Sequence, residues 1–113
     1  MTLAELVAQL DLAVFAGENE LQRAVKSGYA GDLLSDVMAR GGENVLWITI
    51  QIHPNIVAVA VLKDLAAVII SGGRTPEPET VQRAEKEGLP LLGSALGAFE
   101  LAGRLHGLGL RGA

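Results

Sequence analysis

Residues Asn44–Ser71 read NVLWITIQIHPNIVAVAVLKDLAAVIIS, and the fold turns on whether NIVAVAVL within them is a strand or a helix. NVLWITIQIH is nearly continuous in apolar residues and rich in β-branched and aromatic ones, the pattern of a central strand covered on both faces. AAVIIS reads as a second buried strand, beginning within about fifteen residues of the first. Valine and isoleucine in the intervening segment favour a strand. However, a parallel connection needs about a dozen residues and usually a helix. Pro54 followed by Asn55, a good N-cap, supports that alternative, so the segment is expected to be a short, largely buried helix joining two parallel strands.

Working outward, PEPETVQRAEKEG (76–88) carries proline at its start, acidic residues in the first turn and Gly88 after the last, which marks a helix. LPLLGS (89–94) gives another short strand, and Leu96 to Leu108 a last helix with Phe99, Ala102 and Leu105 on one face. Gly107, Gly109 and Gly112 are expected to fray its end. Toward the N-terminus, Thr2 and Glu5 have capping-box spacing before a helix from about Leu3 to Gln9. LAVFAG then ends a short strand at Gly17, Leu21–Gly28 holds a turn and a further short strand, and Asp32 caps a helix stopped by Gly41 and Gly42. The expectation is an α/β fold: one small domain over residues 1–113, core about 2–110, with a mainly parallel central sheet flanked by helices.

Composition narrows the function. There are no cysteines, hence no disulfide, thiolate metal site or cysteine nucleophile, and a cytoplasmic location is expected. Net charge is -4, with nine basic residues scattered along the chain. Without a concentrated positive footprint, nucleic acid is not an expected partner. The apolar run Ile56–Leu62 is broken by Lys63 and Asp64, so no membrane span is expected. The hydrophobic fraction of 50%, mostly small aliphatic residues, suggests an apolar face used for self-association, with a dimer favoured.

In parallel sheets ligands gather outside the carboxyl ends of the strands. On this topology those ends bring forward Tyr29 and Asp32, then Gln51, His53 and Asn55, then Ser71, Gly72, Gly73 and Arg74, and finally Ser94, with Asp36 close by in sequence. For SGGRT (71–75) two readings stand. The amides of Ser71 to Arg74 and the Arg74 guanidinium form an anion nest, or the glycines merely permit a turn while Arg74 pairs with a carboxylate. The following helix start is a poor phosphate site, because Pro76 and Pro78 lack N–H groups and Glu77 and Glu79 add negative charge.

His53 with Asp32 or Asp36 is the only nitrogen–oxygen set suited to a metal-dependent or acid/base enzyme. The bland alternative is a His53 held at a strand-to-helix turn. His106 suits a helix C-terminus, and Trp47 the core. No serine lies in a nucleophile elbow, and no G-x-x-x-x-G-K-[ST] is present, so hydrolysis of a nucleoside triphosphate by a P-loop is excluded.

The stretches GYAGDLLSDVMA (28–39), WITIQIHPNIVAVAVLKDLAAVIISGGRTPEPETVQRAEKEGLPLLGS (47–94) and FELAGRLHGLG (99–109) together resemble stand-alone proteins of the DRTGG-domain family. The resemblance implies a fold similar to the N-terminal domain of HPr kinase/phosphorylase. It also implies an accessory domain of the kind attached to CBS domains, phosphotransacetylase or cobyrinic-acid-synthase-like domains. In that kinase the P-loop domain is separate, so kinase activity is not implied here. The signature itself is absent, SGGRT being its nearest counterpart. The leading expectation is a non-catalytic regulatory or oligomerisation module without a cofactor, binding a small anionic metabolite, a nucleotide or a partner protein.

Overall fold

The computed structural model describes residues 1–113. Its centre is a six-stranded sheet in the order β1-β5-β4-β3-β2-β6. The strands are β1 (Ala13–Ala16), β2 (Ser27–Ala30), β3 (Val45–Thr49), β4 (Ala67–Ile70), β5 (Leu91–Gly93) and β6 (Arg111–Gly112). All adjacent pairs are parallel except β1 with β5.

The deciding segment is helical. α3 (Asn55–Leu62) buries Ile56, Val57 and Ala60 on the sheet and returns the chain to lay β4 beside β3, Trp47 opposite Val68. Connection length therefore prevails over the β-propensity of its valines, which matters less once a side chain is packed against a sheet. Contrary to expectation, Asn55 does not cap this helix; it is the first helical residue, and its N–H donates to Nδ1 of His53 at 3.1 Å.

Two helices cover one face and three the other. α1 (Leu3–Leu10) and α5 (Ala98–Gly107) bury Leu3, Leu6, Leu101 and Leu105 against Leu46, Ile48, Ile69 and Leu92. α2 (Leu34–Arg40), α3 and α4 (Pro78–Glu87) bury Val37, Ile56, Ala60 and Ala84 against Trp47, Val68, Ile70 and Leu91. Alternate residues of β3 and β4 thus go to opposite cores, the reason these strands read as unbroken apolar runs.

The capping box of α1 is present in both directions: Glu5 N–H donates to Thr2 Oγ1, and Thr2 N–H to Glu5 Oε1. Gly88 ends α4 in the left-handed region at φ 66. Other local readings are corrected. α4 starts at Pro78, two residues later than expected, with Pro76 buried in the approach. Phe99 is not on the inner face of α5 but 89% exposed, the inner positions being Leu101 and Leu105. The expected frayed end instead forms β6, aligned with Ser27 and Gly28 of β2.

Candidate functional site

The carboxyl ends of β2, β3, β4 and β5 open on one edge of the sheet. At the ends of β2, β3 and β4, closed by the start of α5, lies a crevice of roughly 180 Å³ lined by Ala30, Gly31, Asp32, Ile48, Thr49, Ile50, Ser71 and Ala98. Of the sequence candidates, Asp32 and Ser71 line it together; Thr49, Ile50 and Ala98 were missed. Thr49 had a signal, being the one hydroxyl within the apolar run VLWITI. Ala98 had none, since its place depends on how α5 crosses the sheet.

Contrary to expectation, Asp32 does not cap α2; Leu33 occupies that position without a side-chain bond. Asp32 Oδ1 instead accepts from Thr49 Oγ1 at 2.7 Å and from the Ile50 N–H at 2.8 Å, joining the ends of β2 and β3. These bonds end β3 at Thr49, short of the expected His53. The next N–H, that of Gln51, donates to Thr49 Oγ1 at 3.2 Å, so side chains replace a neighbouring strand as acceptors. The Gln51 side-chain amide donates in turn to the carbonyl of Asp32. The Asp32 Oδ2 atom has no hydrogen-bond partner within the chain, and the residue is exposed.

On the opposite wall, the Ser71 N–H donates to the Thr49 carbonyl at 2.9 Å, while its Oγ is buried with no hydrogen-bond partner. An orphaned buried hydroxyl costs about 1–3 kcal/mol, so this one stands out. Gly72 and Gly73 both lie in the left-handed region at φ 77 and 70, with open space where a Cβ would sit. Their N–H groups point inward, to the carbonyls of Leu96 (2.7 Å) and Ser94 (2.8 Å). The expected nest is thereby corrected: three of its four amides are taken by the protein's own carbonyls. What the turn achieves is to present Arg74. Arg23, Arg40, Arg83 and Arg104 are ion-paired and Arg111 donates to backbone carbonyls. Arg74 alone among the arginines has no partner, and it is exposed.

The remaining candidates lie elsewhere. The Tyr29 hydroxyl donates to Asp36, whose other oxygen pairs with Arg40 at 3.4 Å, tying β2 to α2. That hydrogen bond, then burial and the carboxylate charge, raise the Tyr29 phenol above its ordinary value of 10.0. Ser94 Oγ accepts from the Leu96 N–H at 3.1 Å, closing a local turn. His53 and Asn55 face solvent. Asp32, Asp36 and His53 each have separate partners, and no group of three or more histidine or acidic residues is gathered to hold a metal. The metal set suggested by the sequence is not assembled.

With this geometry in hand, the DRTGG domain model matches residues 5–108. The chain belongs to the DRTGG domain family. Among solved structures, the DRTGG fold seen here is similar to the CBS and DRTGG domains of the regulatory region of Clostridium perfringens pyrophosphatase, determined in complex with the activator diadenosine tetraphosphate. The TM-score is 0.74 at 15% identity, covering 89% of this chain and 44% of that one. This DRTGG chain therefore spans under half the length of that structure. No curated protein matches it. No helix is long and apolar enough to cross a membrane.

Proposed function

We propose that this DRTGG domain is a non-catalytic regulatory module that binds a small phosphorylated metabolite at the carboxyl edge of its sheet. The observation that carries the reading is the Ser71 hydroxyl, fully buried without a partner on the crevice wall. A fold rarely tolerates such an atom unless something completes it. Arg74, three residues on and unpaired, supplies the cation for an anionic group outside the crevice. The relative in complex with a nucleotide activator lends support to a regulatory rather than catalytic use. So do the separate engagements of His53, Asp32 and Asp36.

Thermal-shift screening against phosphorylated metabolites tests this directly. A ligand at a hundred times its Kd stabilises the folded state by about 2.7 kcal/mol. Arg74→Ala should remove that response and leave the unliganded protein within about 0.5 kcal/mol of wild type, as expected of an exposed, unpaired side chain. Ser71→Ala should be more stable than wild type by about 1 kcal/mol, through loss of the orphaned hydroxyl, yet respond less. Equal stabilisation of Arg74→Ala by a confirmed ligand would remove Arg74 from the site.

Self-association is the second part of the reading, and a specific feature favours it. Phe99 stands 89% exposed on α5, one turn before Ala102, which with Leu105, Ile48 and Leu110 lines an apolar groove of roughly 210 Å³. A knob and a groove carried by the same helix suit a twofold pairing in which each copy fills the other. Because Phe99 would count twice, Phe99→Ser should weaken the dimer about a hundredfold or more. Sedimentation equilibrium measures this; wild-type protein that stays monomeric at high concentration rules the pairing out.

A further inference from the structure

The crevice itself is badly suited to a phosphate. Its wall carries the Asp32 carboxylate, and one of its oxygens is already satisfied by Thr49 and Ile50 while the other is free. A like charge beside it is repelled. A free carboxylate oxygen instead wants a donor, and Ser71 Oγ can either donate or accept. Between them the floor is apolar, formed by Ala30, Ile48 and Ala98. That surface suits the C–H face of a ring and opposes burial of a bare ammonium ion.

Size points the same way. At roughly 180 Å³ the space is below the 300–1,000 Å³ or so of pockets that enclose a whole drug-sized ligand. It admits one small ring, leaving any anionic group outside. From these features we infer that the crevice binds the hydroxyl-bearing ring of a phosphorylated sugar, free or as the ribose of a nucleotide. Asp32 Oδ2 accepts from one ring hydroxyl, and Ser71 Oγ, buried in the unliganded chain, turns about its Cα–Cβ bond to pair with another. Arg74 holds the phosphate at the rim. Thr49 is a positioning residue: its hydroxyl fixes the Asp32 carboxylate, and its carbonyl fixes the Ser71 backbone. The inference rests on the proposed anion-binding role of this edge and specifies the part of the ligand that enters.

Isothermal titration calorimetry on the full chain with ribose 5-phosphate, 5′-AMP and inorganic phosphate separates the two. Ribose 5-phosphate is expected to bind at least about tenfold more tightly than inorganic phosphate, the difference made by a charge-assisted hydrogen bond. Asp32→Asn keeps Oδ1 as acceptor for Thr49 and Ile50 and replaces Oδ2 with a donor. It should weaken the sugar phosphate about tenfold and leave inorganic phosphate unchanged. Ser71→Ala attacks the ring from the other wall and should also weaken only the sugar phosphate, which covers the case of a misfolded Asp32 variant. With ribose 5-phosphate tighter than inorganic phosphate, a still tighter 5′-AMP assigns the source to nucleotides and a weaker one to free sugar phosphates. 5′-AMP tight while ribose 5-phosphate is as weak as inorganic phosphate assigns recognition to the base and overturns the ring site. Inorganic phosphate binding as well as either overturns the sugar inference but leaves the anion reading standing. No binding by any of the three overturns both.

Discussion

Gly17→Ala should destabilise the protein by about 4 kcal/mol, a large share of the 5–15 kcal/mol typical of a domain. Gly17 sits at φ 76 between β1 and the short turn Glu18–Glu20 that leads on toward β2, and it packs against the residues just before β5. Left-handed geometry alone costs an L-residue about 1–2 kcal/mol. The larger part is steric. A Cβ there would stand 2.5 Å from the Cα and N of Pro90 and 2.6 Å from the Leu89 carbonyl oxygen. These are backbone atoms, and they cannot rotate away as a side-chain tip can. Nor can Pro90 retreat easily, since it is buried and its carbonyl accepts from the Val68 N–H at 3.1 Å. Relief has to come from lifting β1 off β5, which breaks the antiparallel pair and uncovers Ala16. Guanidinium unfolding followed by Trp47 fluorescence measures the loss. Gly72→Ala is the control: a similar φ of 77, but nothing within 4 Å of the new methyl, so about 1–2 kcal/mol from backbone strain alone. Should the two variants lose equal stability, the close approach at Pro90 is not a real constraint.

Trp47→Ala should cost about 3–5 kcal/mol by the ordinary cavity penalty for a large buried aromatic. Trp47 is fully buried in β3, packed with Ile56, Ala60, Val68 and their neighbours in the core beneath α2, α3 and α4. Its Nε1 also donates to the Gly31 carbonyl at 2.8 Å, and Gly31 belongs to the crevice wall. Trp47→Phe separates the two contributions: it keeps most of the packing and loses about 1–2 kcal/mol, chiefly through the unpaired carbonyl. The same variant should loosen the Gly31–Asp32 segment and weaken ligand binding without touching the ligand. Circular dichroism is the probe, because the chain has no other tryptophan. A loss below about 2 kcal/mol for Trp47→Ala would mean that the surrounding core collapses into the space.

Before its tertiary structure is considered, the chain already determines a good deal. The lengths and apolar character of VLWIT and AVII, the span between them, and the caps around α1 and α4 required a parallel sheet with crossover helices. These signals act over a turn of helix or a few residues of strand, so they can be read locally. The same holds for Gly72 and Gly73 as a turn, and for the carboxyl edge as the place to search.

Only the tertiary structure decided which donors met which acceptors at that edge. Asp32 has the chemistry of a helix cap, yet the parallel register puts the end of β3 within its reach, and a folded carboxylate bonds the donors that tertiary contacts bring to it. The amides of Gly72 and Gly73 are turned inward by carbonyls at positions 96 and 94, about twenty residues along the chain. No periodicity records that pairing. Phe99 likewise departs from the inner stripe of α5 because the sheet selects Leu101 and Leu105. Hydrophobic pattern and caps set the elements; the long-range register of strands and the tilt of α5 set the crevice, since its wall comes from segments that meet only after the sheet has formed.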